Sequence, residues 1–229
     1  DLVSAIHIGD ASYYQDLNKR FEDYDAMLYE LIAPKDAPVS ARDDERRGVI
    51  SSTQVGMKNM LGLSFQLDEI DYSASNFVHA DLSPTELSES MDERGESLYV
   101  YFWRLFYASV DEYAKDPLGL NNWNMMSAML LNDSDNALKV MLAYEMTDLS
   151  KHSEILGEDS ESAVIGARNQ RAIDVVKERL AAGDKRIAVF YGVAHMPDME
   201  ERLFEQLDLI YLDTTWVDAW HLDTRVDVE

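Results

Sequence analysis

Two patterns of apolar and polar residues alternate along this chain: short apolar runs that end at a glycine or a charged residue, and longer stretches with apolar positions three and four apart. The first run, residues 2–8, is apolar enough for a buried strand, and Asp10 stands where it can cap a following helix. Tyr14, Leu17 and Phe21 then fall on one helical face, and residues 26–31 form a second apolar run that carries Glu30 near its end. Strand, helix and strand in about thirty residues predict a βαβ unit with parallel strands and a right-handed crossover.

The pattern changes after this unit. Residues 33–52 hold Pro34, Pro38 and a charge cluster from Arg42 to Arg47, which reads as a surface loop or a short irregular helix. A helix is expected at 54–63, extended segments at 65–71 and 77–81, and a helix after Ser83-Pro84-Thr85-Glu86, a capping box with proline at the first helical position. Residues 95–115 are apolar on nearly every helical face, and Asp116-Pro117 ends them. Two more helical patterns, 122–131 and 134–149, follow. The first contributes Trp123, Met125, Met126 and Met129, which with the aromatic helix are expected to form either a helical core or an adaptable apolar pocket.

A long amphipathic pattern over 160–182 runs through Arg168-Asn169 and stops at Gly183. Residues 187–191 form another short apolar run, ending at Gly192, where a backbone conformation unfavourable to other residues is expected. His195 follows in a strand-to-helix turn, then a helix over 198–207 and a strand at 209–212. The predicted fold is α/β: a mostly parallel sheet built from both chain ends within one domain, 1–229, with 83–158 as a helical insertion.

Composition narrows the function. There are 20 basic against 44 acidic residues, a net charge of −24, which argues against nucleic acid and anionic membrane as partners. The chain has no cysteine, so disulfide scaffolds and thiol nucleophiles are excluded. No apolar run is long enough for a transmembrane segment. The first residue is Asp1, not Met, which leads to the expectation that an N-terminal signal has been removed from a secreted or cell-envelope (periplasmic) protein. Serine-hydrolase, Walker A and dinucleotide-binding signatures are absent.

Histidines and carboxylates at predicted strand ends remain: His7, Glu30, His79 with Asp81, and His195. Imidazole and carboxylate are the usual ligands of a divalent transition metal, whose bound water becomes a nucleophile near neutral pH. Each residue also has a structural alternative. A histidine in a turn is often simply hydrogen-bonded, Asp81 can serve the helix cap after it, and Glu30 in an apolar run can be satisfied by a cation such as Arg168.

Taken together, Ile6-His7-Ile8-Gly9-Asp10 before a helix, Leu28-Tyr29-Glu30 on the next strand, Arg168-Asn169 on a late helix and Gly192-Val193-Ala194-His195 after a strand resemble the TraB/PrgY/GumN and Tiki superfamily. That superfamily is distantly similar to erythromycin esterase and ChaN-like proteins. The resemblance spans roughly 1–32 and 160–215. The family carries two G-x-x-H motifs; the second is present in full, whereas the first reads Ser4-Ala5-Ile6-His7, with serine for glycine.

The resemblance implies a metal-dependent hydrolase of a peptide or related amide or ester. His7, His195 and Glu30 are expected to hold Mn, Co, Zn or Fe, with Glu30, Arg168 and Asn169 as catalytic groups. His79, Asp81 and Gly192 would meet a peptide or small-molecule substrate. A non-catalytic peptide- or haem-binding protein is the alternative, and an interaction module with structural histidines is a third.

Overall fold

The computed structural model describes residues 1–34, 64–96, 139 and 162–222. Four parallel strands form its central sheet: β1 (Leu2–Ala5), β3 (Ala26–Tyr29), β5 (Phe77–His79) and β6 (Ile187–Gly192), in the spatial order β1-β6-β3-β5. β1 and β3 are parallel as expected, but β6 lies between them and pairs with both. The expected α/β class with a parallel sheet is observed, but the sheet is not built from the chain ends alone, since β5 comes from residues 77–79.

Strand periodicity sorts the core onto two faces. Met27 and Phe190 point to one side and pack with Tyr14, Leu17 and Phe21 of α1 (Ala11–Phe21). Leu28, Val189 and Tyr191 point to the other and pack with Ala172, Val175, Val176 and Met199. The last four come from α4 (Arg168–Ala182) and α5 (Met196–Leu207). Helices cover both faces, which is why the central strands read as continuous apolar runs and not as alternating ones.

Several expectations from the sequence are corrected. The first strand ends at Ala5, not at residue 8, because the next carbonyls find other partners: Ile6 accepts from the Tyr14 hydroxyl at 2.8 Å and His7 from the Gln66 amide at 2.9 Å. Beyond the bend, β2 (Ile8–Gly9) pairs antiparallel with β4 (Ser64–Phe65). Residues 65–71 are not extended throughout. A single helical turn, α2 (Gln66–Glu69), follows β4, and Asn18 of α1 clasps it, donating to the Glu69 carbonyl at 2.8 Å and accepting from the Asp71 amide at 3.1 Å.

The strand expected at 209–212 is absent. Asp208 ends α5 in the left-handed region at φ 52°, and the chain leaves the sheet with Ile210 77% and Leu212 82% exposed. It returns where the Asp10 amide donates to the Ala219 carbonyl at 2.9 Å and the Trp220 indole to the Ile8 carbonyl at 2.7 Å. Asp10 occupies the N-cap position of α1 without capping it. Its carboxylate instead receives the Lys139 ammonium at 3.1 Å and the His221 ring at 3.0 Å.

The pattern over 160–182 begins as a π-turn, Ala163–Ala167, before α4, and Gly183 at φ 104° stops it. The capping box forms as predicted: the Glu86 amide donates to Ser83 Oγ, the Ser83 amide donates to the Glu86 carboxylate, and α3 (Pro84–Glu93) follows. The helices expected at 54–63 and 122–131, all but the first two residues of the one at 95–115, and nearly all of 134–149 lie outside the described residues, as does most of the insertion 83–158. Among the described residues no helix is long and apolar enough to cross a membrane.

The capping box fixes the chain direction two residues after Asp81. Replacing Ser83 with Ala should lower stability by about 1 kcal/mol in urea unfolding, leaving the slope of the transition unchanged.

Candidate functional site

Parallel pairing brings the C-terminal ends of all four strands to one edge, and each strand releases a chemistry-bearing residue there. His7 follows β1, His195 follows β6, Glu30 follows β3 and Asp81 follows β5. Ligands bind at this edge in open parallel sheets. A cleft of about 230 Å³ opens here, with His7, Glu30, Gln66 and Arg168 as its polar lining and Leu31, Ile32 and Leu67 as its apolar wall.

Arg168 is the centre of the site. The first residue of α4, it is 6% exposed, and its guanidinium is gripped from two sides. Asp81 accepts from Nε at 2.9 Å and from an Nη at 2.6 Å, and Glu30 accepts from the same Nη at 2.7 Å. Burial disfavours the cation, but the two carboxylates outweigh it and hold Arg168 protonated. Glu30 is completed by the Gly192 amide, which donates to its second oxygen at 2.7 Å. Burial alone would raise the Glu30 pKa; Arg168, His195 and the Gly192 amide together keep it below the ordinary carboxylate value.

Gly192 does not adopt the conformation anticipated for it. Its φ is −59° and its ψ 150°, open to any residue. A Cβ here would make only ordinary contact, 3.4 Å from Glu30 Oε2, so the site uses the backbone amide of this residue and not its lack of a side chain.

His195 is buried at 5% exposure at the end of a 3₁₀ turn, Val193–His195, its ring edge-on to Tyr191. Asn169 sets its proton. The Asn169 amide nitrogen donates to the Asp198 carboxylate at 2.7 Å, and Asp198 can only accept, so Asn169 Oδ1 faces His195 Nδ1 at 2.6 Å and Nδ1 must carry the hydrogen. Nε2 is left with a lone pair, 3.4 Å from the second Nη of Arg168 and 3.7 Å from Glu30 Oε1. Burial lowers the His195 pKa, Glu30 opposes and Arg168 adds to the lowering; the ring is neutral at pH 7. The contact with Glu30 is thus not an ion pair.

His7 is exposed at the cleft, and its Nδ1 meets Gln66 Oε1 at 3.1 Å. His7, Glu30 and Arg168 converge on one cleft, and His195 joins from behind the guanidinium. Asn169, expected as a catalytic group, is not in the cleft lining and orients His195. Asp81 is fully buried with both oxygens on Arg168, so it holds the cation and does not face a substrate. His79 is half-buried, its Nε2 2.6 Å from the Leu31 carbonyl, and it is not part of the cleft lining. Sequence reasoning misses Gln66 and Tyr72, and reads Asp198 only as the opening of a helix. The contacts that matter here, Gln66 with His7 and Asp198 with Asn169, join residues remote along the chain, and no local pattern marks them.

Among the described residues, no three His, Asp or Glu side chains are gathered to hold a metal ion. Glu30 Oε1 and His195 Nε2 are close enough for two ligands of one ion, but the Arg168 guanidinium stands against both, and both Glu30 oxygens already accept hydrogen bonds. As arranged, these residues do not fit a His7–Glu30–His195 centre. Comparison with family models, curated proteins and solved structures returned no match. The aromatic and methionine positions expected to wall an apolar pocket lie outside the described residues.

His195 and Glu30 both make stability fall towards acid. Below the ordinary imidazole value of 6.5 the unfolded chain protonates this histidine while the folded chain resists, so the unfolded state binds more protons and gains. Glu30 adds the same effect below its ordinary value of 4.5. His195→Gln should therefore flatten the pH dependence of unfolding just below 6.5 and leave the lower, Glu30-linked decline in place, as read by urea titrations across that range.

Proposed function

We propose that the cleft is the active site of a hydrolase acting on a peptide or a related amide or ester. The observation that carries this reading is the convergence of an exposed histidine with a buried, carboxylate-held guanidinium on one apolar-walled cleft at the sheet edge. His7 takes a proton from water as the water oxygen bonds to the substrate carbonyl carbon, and returns that proton to the leaving nitrogen or oxygen as the C–N or C–O bond breaks. Arg168, fixed before substrate arrives, stabilises the charge that develops on the carbonyl oxygen. Glu30 remains ionised and keeps the guanidinium in place, and Leu31, Ile32 and Leu67 receive an apolar group of the substrate. The resemblance to the TraB and Tiki superfamily supports the same reaction class.

A metal-dependent version of this hydrolysis has one observation in its favour. Asn169 pins the Nδ1 hydrogen of His195 and leaves Nε2 unprotonated, the arrangement that prepares an imidazole as a ligand. It requires Arg168 to withdraw from Glu30, so no step is assigned to a metal here.

Chromogenic esters and aminoacyl arylamides, assayed with the full chain before and after chelation, test the proposal. Wild-type turnover should survive chelation, His7→Ala should lower kcat about 10²- to 10⁴-fold, and Arg168→Met should be at least as damaging. Loss of activity together with bound Mn, Co, Zn or Fe would select the metal-dependent version. Activity unaffected by His7→Ala, or tight binding of peptide or haem without turnover, would overturn the hydrolase reading in favour of a carrier.

A further inference from the structure

Gln66 is a polar side chain at 6% exposure, and it holds His7 twice. Its backbone amide donates to the His7 carbonyl at 2.9 Å, and its Oε1 meets His7 Nδ1 at 3.1 Å. Its Nε2 donates to the Tyr72 hydroxyl at 2.8 Å. We infer that Gln66 is a positioning residue that keeps the proton of His7 on Nδ1 and leaves Nε2 unprotonated for the cleft. The catalytic consequence rests on the hydrolase reading above; the assignment of the proton does not.

Free imidazole favours the proton on Nε2, so a side chain that accepts from Nδ1 reverses the intrinsic preference. A carboxamide does this only if it is itself oriented, because turning it over would present a donor to the ring. Tyr72 supplies the orientation. Burial, with Glu30 nearby, pushes the Tyr72 pKa up to about 12 against the Gln66 hydrogen bond, so the phenol keeps its hydrogen. Gln66 Nε2 donates to the Tyr72 hydroxyl oxygen, which leaves Oε1 turned towards His7 Nδ1. The same device recurs at His195, where Asn169 accepts from Nδ1 and Asp198 fixes the carboxamide. Two carboxamides, one on α2 and one on α4, thus prepare two histidines alike.

Two-bond nitrogen–proton NMR on histidine-labelled protein, recorded above the imidazole pKa with His7→Gln used for assignment, reads the tautomer directly. The wild type should show the His7 proton on Nδ1. Gln66→Leu should move it predominantly to Nε2 with the His195 signals unchanged, and Gln66→Glu, which retains an acceptor, should restore Nδ1. In Gln66→Leu, kcat should fall about 10- to 100-fold with KM nearly constant, the usual cost of losing a group that orients an imidazole. If Gln66→Leu does not fold, Tyr72→Phe, which removes only the anchor of the carboxamide, should give a partial shift in the same direction. A wild-type proton on Nε2, or a tautomer indifferent to these substitutions, overturns the inference. A tautomer that shifts while kcat stays constant upholds it and counts instead against His7 as the base.

Discussion

A guanidinium buried between two carboxylates is the constraint on which the site depends. Arg168 cannot be deprotonated, so once buried it must be paired, and Asp81 and Glu30 must stay in place to pair it. The partners come from distant parts of the chain: Asp81 after β5, Glu30 after β3, and Arg168 from the start of α4. The ion cluster therefore ties β3 and β5 to the helix that covers one face of the sheet. Replacing one partner alone would strand a charge in a place with little water, so the three behave as one unit.

This unit also defines what the strand ends can do. Asp81 is spent on holding Arg168 and cannot serve a substrate. Glu30 is held by Arg168 and the Gly192 amide, which lowers its basicity and turns it into a fixed negative charge. His195 lies behind the guanidinium, neutral, with its proton set by Asn169. Among these strand-end residues His7 alone is exposed at the cleft, and its ring is held by Gln66. One positive group and one oriented imidazole at the mouth of an apolar-walled cleft form a polar pattern suited to a carbonyl under attack by water.

Much of this was legible in the sequence because it follows from periodicity. The apolar runs ending in His7, Glu30 and His195 are the strands that parallel pairing aligns, and Glu30 inside an apolar run called for a cation, with Arg168 among the candidates. The capping box at Ser83 was equally readable, since both of its hydrogen bonds span three residues. Long-range choices were hidden. Nothing local marks the insertion of β6 between β1 and β3, the bend at His7, or Gln66 reaching back to its ring. Residues 209–212 have strand-like composition, but the left-handed Asp208 sends them away from the sheet. Asp81 looked like a candidate for binding because its exposure, unlike its identity, depends on a helix eighty-seven residues later.

The most direct measurement of the central claim is a double-mutant cycle in urea unfolding, built from Arg168→Met, Asp81→Asn and the pair. If the buried ion cluster organises the site, each single substitution leaves uncompensated polar or charged groups, and the pair costs much less than the sum, with a coupling of about 2–3 kcal/mol. Single costs that add to within about 0.5 kcal/mol would mean that Arg168 and Asp81 do not depend on each other, and would contradict the account.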